Sequence, residues 1–301
     1  MTTTATHPYI DTVVHLPVSK DVSTDRRVDV GKDERERVGP AFTIVLANHK
    51  GGVTKTTSTA NLGACLAEAG RRVLIVDADP QANLSEAFGW SEDLPGERLE
   101  DLLTHPDAAA RHEPPVALLS DVGGEVEWRE RLRIIPCTDT LADIAADLPT
   151  CGEGWEQRLA EVLAPSHARF DVILIDTPPG LGNLSGMAML AADGLLIPSR
   201  PADLDVRGAG KLYDLVESSL PHLRVHGVLI AASEPRWRVA QDAAAQMTAE
   251  SMRVLPVQVP RTVRVASAPR HRAPTVVLEP DSMVAHAYRQ VAELLLAETG
   301  R

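Results

Sequence analysis

Aromatic residues are scarce in this chain, 3% of 301 residues, so its core cannot rest on stacked rings and must be built from Ala, Val, Leu and Ile. That composition suits parallel strands covered by helices better than a β-sandwich. Cysteine is scarcer still: Cys65, Cys137 and Cys151 stand far apart with no Cys-x-x-Cys spacing. This excludes a disulfide framework and suggests no zinc or iron-sulfur site. No apolar run approaches the roughly 20 residues of a membrane span. Residues 1–40 lack the apolar segment of a signal peptide, and a cytoplasmic location is expected. No serine sits in a Gly-x-Ser-x-Gly elbow, so no hydrolase triad is proposed.

A hydrophobic fraction of 44% is enough for one large α/β domain or two small ones. The net charge of −12 argues against a uniformly basic coat and weakens any simple nucleic-acid reading. The distribution differs: residues 224–272 carry eight arginines against three acidic residues. This local positive region gives Arg236, Arg238, Arg264, Arg270 and Arg272 as candidate contacts to nucleic-acid phosphates.

Residues 1–40 mix polar and charged residues without sustained period and are expected to form a flexible arm; 41–301 are expected to be a single domain. Apolar runs of buried-strand length lie at 42–47, 72–77, 132–136, 170–176, 194–198, 225–232 and 254–259. Helical patterns occupy 56–69, 155–164, 204–220, 238–252 and about 282–298. The alternation predicts a mostly parallel sheet with right-handed crossovers, whose ligands bind beyond the carboxyl ends of the strands. Residues 90–124 show weak periodicity and read as a surface insertion of helices and loops.

The first strand runs into Lys50-Gly51-Gly52-Val53-Thr54-Lys55-Thr56-Thr57, and a helical pattern follows at once. A phosphate-binding loop needs small residues so that backbone N–H groups can converge on oxygen atoms at a helix N-terminus. Lys55 supplies a point charge for the β and γ phosphates, and the Thr56 hydroxyl is placed to coordinate Mg2+. The strand 171–176 has the form of a Walker B strand, with Asp176 emerging at its carboxyl end to hold the Mg2+ water shell.

The loop does not fit Gly-x-x-x-x-Gly-Lys-Ser/Thr, because His49 and Thr54 stand at the glycine positions. It does fit Lys-Gly-Gly-x-x-Lys-Ser/Thr, with a second lysine at Lys50. In this it resembles the deviant Walker A ATPases, a family that includes the ParA/Soj partition proteins and the MinD division-site proteins. Asp77-Ala78-Asp79-Pro80-Gln81-Ala82-Asn83 resembles the family's second box, Asp-x-Asp-Pro-Gln-x-Asn. Pro178-Pro179-Gly180-Leu181-Gly182 resembles its switch loop. Residues 260–271 resemble the ParA-type segment Pro-Arg-Asn-Val-Arg-Leu-Ser-Glu-Ala-Pro-Ser-His, with Thr262 in place of the usual Asn.

The resemblance implies a P-loop NTPase-type α/β fold, a mostly parallel twisted sheet flanked by helices on both faces, and an ATPase that uses ATP and Mg2+. Lys50 is implied to reach across an ATP-bound homodimer to the partner's nucleotide, Asp79 to orient the attacking water and Asp77 to lie near the metal. Pro260, Arg261 and Thr262 are implied to contact the base. The implied function is DNA partition: the ATP-bound dimer, associated with the nucleoid, binds nonspecific DNA, and a ParB-like centromere-binding protein stimulates hydrolysis and release. A MinD-like positioning ATPase that does not track DNA is the alternative, but it would need a basic amphipathic C-terminal helix, and 284–298 carries Arg289, Gln290, Glu293 and Glu298 on its polar side. That helix is expected to pack on the sheet instead. Thr54 places a β-branched residue where glycine is usual, and slow hydrolysis or reduced nucleotide affinity is expected from it.

Overall fold

The computed structural model describes residues 39–90, 94, 96–111, 113–114, 128–233, 238–261 and 272–300. The arm expected over residues 1–40 lies, up to residue 38, outside the described residues, as do Arg236, Thr262, Arg264 and Arg270. Strands β1 (Phe42–Leu46), β2 (Val73–Asp77), β3 (Leu132–Ile135), β4 (Val172–Asp176), β5 (Gly194–Ser199), β6 (Arg224–Ser233) and β7 (Val254–Pro260) form one sheet in the order β3-β2-β4-β1-β5-β6-β7. Every ladder is parallel. Each expected strand is present, its ends within two residues of the expected ones.

Strands β2 and β4 are apolar in every position but the last because both their faces are covered. Ile44, Leu46, Ile75, Leu174, Leu196 and Leu229 join the core beneath helices α1 (Lys55–Glu68) and α10 (Met283–Thr299). The alternating Val45, Ile173 and Ile175 point to the opposite face and are equally buried. Between these ends of the chain lie α2 (Asn83–Ala87), α3 (Leu99–Thr104), α4 (Leu141–Asp147), α5 (Arg158–Leu163), α6 (Asn183–Leu190), α7 (Asp203–Ser219), α8 (Arg238–Ala249) and α9 (Thr275–Leu278). Helix α1 approaches β2 so closely that a Cβ on Gly63 would lie 2.9 Å from Ile75 Cγ2, so glycine is required there.

The last helix packs as expected. Ser282 caps its start by accepting from the Ala285 amide at 3.2 Å, and Gly300 ends it with φ 69°. Val284, Tyr288, Val291, Ala292 and Leu295 are buried against the sheet, at about 1.5–3 kcal/mol for each large apolar side chain. Glu298 pins its far end: Oε2 lies 2.8 Å from His226 Nδ1, and Arg253 and Arg224 meet the same carboxylate. No helix among the described residues is long and apolar enough to cross a membrane.

Two readings of the middle region need correction. Part of 90–124 belongs to the core and not to a surface insertion, since Trp90, Leu99, Leu102 and Leu103 are buried. The three leucines have the i, i+3, i+4 spacing of a single short stripe, too brief to stand out in a longer window. The helix expected at 155–164 is a 3-10 turn, Trp155–Gln157, followed by the short α5.

Candidate functional site

The register of the sheet assembles the site. Leu46 and Asp77 each pair with Asp176 across neighbouring ladders, so the loop after β1 and the carboxylates ending β2 and β4 arrive at one edge. Asn48, fully buried, fixes the loop's first turn: its amide donates to the Pro198 carbonyl at 2.8 Å, and its Oδ1 accepts from Lys50 N at 3.1 Å. The Gly180 amide donates to the His49 carbonyl at 3.0 Å, tying the switch-like loop to the phosphate loop. Gly52 takes φ 72°, a conformation that favours glycine. Thr54 takes φ 72° and ψ 20° despite its branched side chain, and stands just before α1.

Around this loop opens a cleft of about 470 Å³. Its lining includes Gly51, Gly52, Thr54, Lys55, Thr56 and Thr57 of the loop and α1, Asp79, Gln81 and Pro179, and Asn61, Ala273 and Pro274. Val53 is buried, so it serves the loop through its backbone. The first turn of α1 carries no acidic residue, which leaves its amide dipoles unopposed for an anion.

Lys55 is buried, and its Nζ donates to the Lys50 carbonyl at 3.2 Å. Burial lowers its pKa, with Asp176 and Asp79 drawing it partly back. Asp176 is fully buried. Its Oδ1 accepts from the Thr59 hydroxyl at 3.3 Å, while Oδ2 has no hydrogen-bond partner among the described residues. Burial, and then the charge of Asp77, pushes it well above the ordinary carboxylate range, against the pull of the Thr56 hydroxyl. A buried carboxylate oxygen with no donor, beside a threonine hydroxyl and under a phosphate loop, fits a hydrated divalent cation. No cluster of three His, Cys, Asp or Glu side chains that could hold a metal occurs among the described residues.

Asp77 and Asp79 are placed differently from each other. The Asp77 Oδ2 accepts from both the amide and the hydroxyl of Ser85 at 2.8 Å, and Oδ1 from the Asp79 amide at 3.3 Å. Burial pushes Asp77 up to about 6 even with those donors. Its side chain is thus spent on holding the turn, and it does not line the cleft. Asp79 does line it; Oδ1 accepts from Gln81 N at 3.1 Å, and Cys137 Sγ donates to the Asp79 carbonyl at 3.1 Å from the end of β3.

The remaining expected residues are less tightly gathered. Lys50 forms an ion pair with buried Asp205 of α7. Pro260 ends β7, and neither it nor exposed Arg261 lines the cleft; Ala273 and Pro274 take that side. Arg238 begins α8, and Arg272 is exposed with φ 47°. Sequence reasoning missed Asn61, whose Oδ1 accepts from Val276 N at 3.0 Å and so joins α1 to α9 under the cleft. Its place one helical turn beyond Thr57 was the available signal. Ser85 and Cys137 were missed too, and nothing local marks them.

The family described as an AAA domain matches residues 41–224. The chromosome-partitioning ATPase Soj of Thermus thermophilus is 35% identical, the match covering 84% of this chain and 95% of the relative. A cobyrinic acid a,c-diamide synthase from Mycobacterium smegmatis, solved with ADP and magnesium, superposes with a TM-score of 0.68 at 29% identity, covering 87% of this chain and 97% of that one. The septum site-determining protein MinD of Pyrococcus horikoshii, solved with Mg-ADP, gives a TM-score of 0.67 at 25% identity, with 86% and 98% covered.

Proposed function

Because the chain belongs to the AAA-domain family of ATPases that includes Soj, we propose that it is a DNA partition ATPase whose ATP-bound homodimer holds nonspecific DNA and lets go on hydrolysis. It is an ATPase that uses ATP and Mg2+, of the partition or positioning kind. The observation that carries the reading is the convergence, in one cleft, of the phosphate loop, Lys55 and Asp79, with the buried Asp176 carboxylate close to Lys55 and one of its oxygens without a hydrogen-bond partner among the described residues.

When bound, ATP supplies the phosphoanhydride and Mg2+ neutralises charge on its phosphates. The chain's own groups do the rest. Amides of residues 51–57 bind phosphate oxygens at the N-terminus of α1. Lys55, itself buried and close to Asp176, adds a positive charge that is less screened than one in solution. Thr56 and Asp176 would hold Mg2+ and its water shell. Asp79, with its turn fixed by Asp77, Gln81 and Cys137, keeps Oδ2 to accept a hydrogen bond from the attacking water. Pro179 lines the cleft on the loop that Gly180 ties to His49, and this loop senses the γ-phosphate.

Lys50 completes the site of the partner protomer. The arginines of 224–272, among them Arg236, Arg238, Arg264, Arg270 and Arg272, form the DNA face, and dimerisation doubles it. A ParB-like protein times hydrolysis, residues 1–40 act as a tether, and the base is contacted by Pro274 of the cleft lining, with Pro260, Arg261 and Thr262 reaching it from outside that lining. The setting is the cytoplasm, on the nucleoid when ATP is bound.

The test is DNA binding by purified protein with ATP, with ADP and without nucleotide, at two salt concentrations, alongside Lys50→Ala. Binding that needs ATP, weakens with salt and vanishes in the variant supports the proposal. Binding indifferent to nucleotide sinks it. The likeness to MinD favours a second reading, a positioning ATPase without a DNA track, and an ATP-dependent dimer that ignores DNA selects it. Burial of the apolar face of α10 leaves that helix no face for a membrane and weighs against the MinD mode of anchoring.

A further inference from the structure

β3 is an edge strand, and its pairing with β2 ends at Ile135 opposite Val76. Residues 136–138 run on past the last pair, so their place beside the turn that carries Asp79 is set by side chains. The Cys137 amide donates to Ser85 Oγ at 3.2 Å, and the Cys137 thiol donates to the Asp79 carbonyl at 3.1 Å. Helix α3 supplies the rest. The Leu99 amide donates to the Pro136 carbonyl at 2.8 Å, and Glu100 Oε1 accepts from both the amide of Thr138, at 3.1 Å, and its hydroxyl. Glu100 is 4% exposed, and its Oε2 has no hydrogen-bond partner among the described residues. Burial pushes its pKa above the ordinary carboxyl range, against the pull of the Thr138 hydroxyl. A carboxyl so placed costs stability that an apolar side chain would not. What it does there is hold Thr138, the neighbour of the thiol on Asp79.

We propose that Glu100 is a positioning residue for ATP hydrolysis: a strap from Glu100 through Thr138 and Cys137 fixes the backbone of Asp79 and so aims its carboxylate at the attacking water. This rests on the reading of Asp79 as the group that orients that water. The Asp79 backbone is held at both its polar groups, since its amide donates to Asp77 Oδ1 at 3.3 Å and its carbonyl accepts from Cys137. Both holds involve Cys137, because the Ser85 hydroxyl that donates to Asp77 also accepts from the Cys137 amide. Releasing Thr138 from Glu100 therefore loosens both at once. Glu100 and Thr138 do not line the cleft, whereas Lys55, Thr56 and the loop glycines do. The effect thus falls on turnover and not on nucleotide affinity.

Glu100→Ala removes both bonds to Thr138 and lowers kcat by about tenfold, less than the roughly 100-fold that a displacement of about 1 Å can cost. Glu100→Gln keeps the volume and an acceptor oxygen for Thr138, and restores kcat. Thr138→Val removes the hydroxyl bond alone and lowers kcat by less than E100A does.

The experiment uses the full chain as the parent, E100A, E100Q, T138V and D79N, each checked for cooperative thermal unfolding. It combines phosphate release at saturating Mg-ATP, titration with Mg-ADP and amide hydrogen exchange. A lower kcat in E100A with unchanged Mg-ADP affinity, recovery in E100Q, and faster exchange at residues 77–83 but not at 51–57 support the proposal. If D79N abolishes turnover but E100A matches the parent, the strap is wrong while the role of Asp79 stands. D79N turning over like the parent overturns both readings. A loss of Mg-ADP affinity in E100A equal to its loss of kcat overturns the strap, since the whole site would then be disturbed. An E100Q as slow as E100A overturns it too, because the acceptor oxygen would not be what matters. Should E100A fail to unfold cooperatively, T138V decides: an unchanged kcat refutes the strap.

Discussion

Replacing Thr54 by glycine tests how the phosphate loop is held. Thr54 has φ 72° and ψ 20°, left-handed backbone that an L-residue adopts at about 1–2 kcal/mol. A contact offsets part of this: its hydroxyl lies 3.5 Å from Ser58 Oγ, which is 3.1 Å from the hydroxyl of buried Tyr288 on α10. At 3.5 Å the first link is at the limit of a hydrogen bond. Glycine relieves the strain but gives the unfolded chain more freedom, at about 0.5–1 kcal/mol. The balance is a nucleotide-free protein more stable by about 0.5–1 kcal/mol, a midpoint rise of about 1–4 °C for a domain of this size. Denaturant unfolding in EDTA measures it. Thr54→Ala separates the two effects, since it keeps the left-handed backbone and loses the hydroxyl, and it should stay within a few tenths of a kcal/mol of the parent. ATP affinity and turnover should rise in the glycine variant, whose loop can close on phosphate without the branched side chain. A glycine variant less stable by about 1 kcal/mol or more would refute the reasoning, because the chain of hydroxyls to Tyr288 would then outweigh the strain.

Three further outcomes are expected. Asp176→Asn removes a buried charge whose folded pKa lies above its unfolded value, so the stability linked to Asp176 is present in acid and lost as pH rises. The variant is therefore more stable than the parent at neutral pH without nucleotide, yet loses the extra midpoint gained on adding Mg2+ to the ATP-bound protein; an unchanged Mg2+ increment removes Asp176 from the metal site. His226, lowered by burial against the opposing pull of Glu298, sits below its ordinary value of 6.5. As pH falls below that value the unfolded chain takes up a proton the folded one resists, so stability declines on acidification through the folded pKa, and His226→Asn should flatten the profile there; parallel profiles would show that the ring does not titrate between the two states. Burial pushes the Cys65 thiol to about 12 and Cys137 higher still, while Cys151 is exposed. A maleimide should label Cys151 alone in the native protein and all three cysteines after unfolding, and rapid native labelling at Cys137 would mean that β3 opens beside Asp79.

What the sequence alone determined were the parts whose physics is local. A run such as Val73–Asp77 reads as a doubly covered strand, because a parallel sheet in an α/β fold is buried on both faces, and a loop of Lys50, Gly51 and Gly52 between a strand and a helix has the composition that lets amides converge on an anion. Asp79, Lys55 and Asp176 were legible for the same reason: each follows a strand end or opens a helix, and all strand ends of a parallel sheet meet at one edge. The stripe of Leu99, Leu102 and Leu103 was not, because six helical residues are too few to set a period. Tertiary structure alone decided the state of individual charges. Nothing near Asp77 announces that Ser85 saturates its carboxylate while Asp176 keeps a bare oxygen, and nothing near Lys50 announces a partner at Asp205, since α7 comes beside the loop only when β5 pairs with β1. A pattern of residue types fixes which face is buried; which buried charge meets which depends on strand order and on side chains brought together from far along the chain.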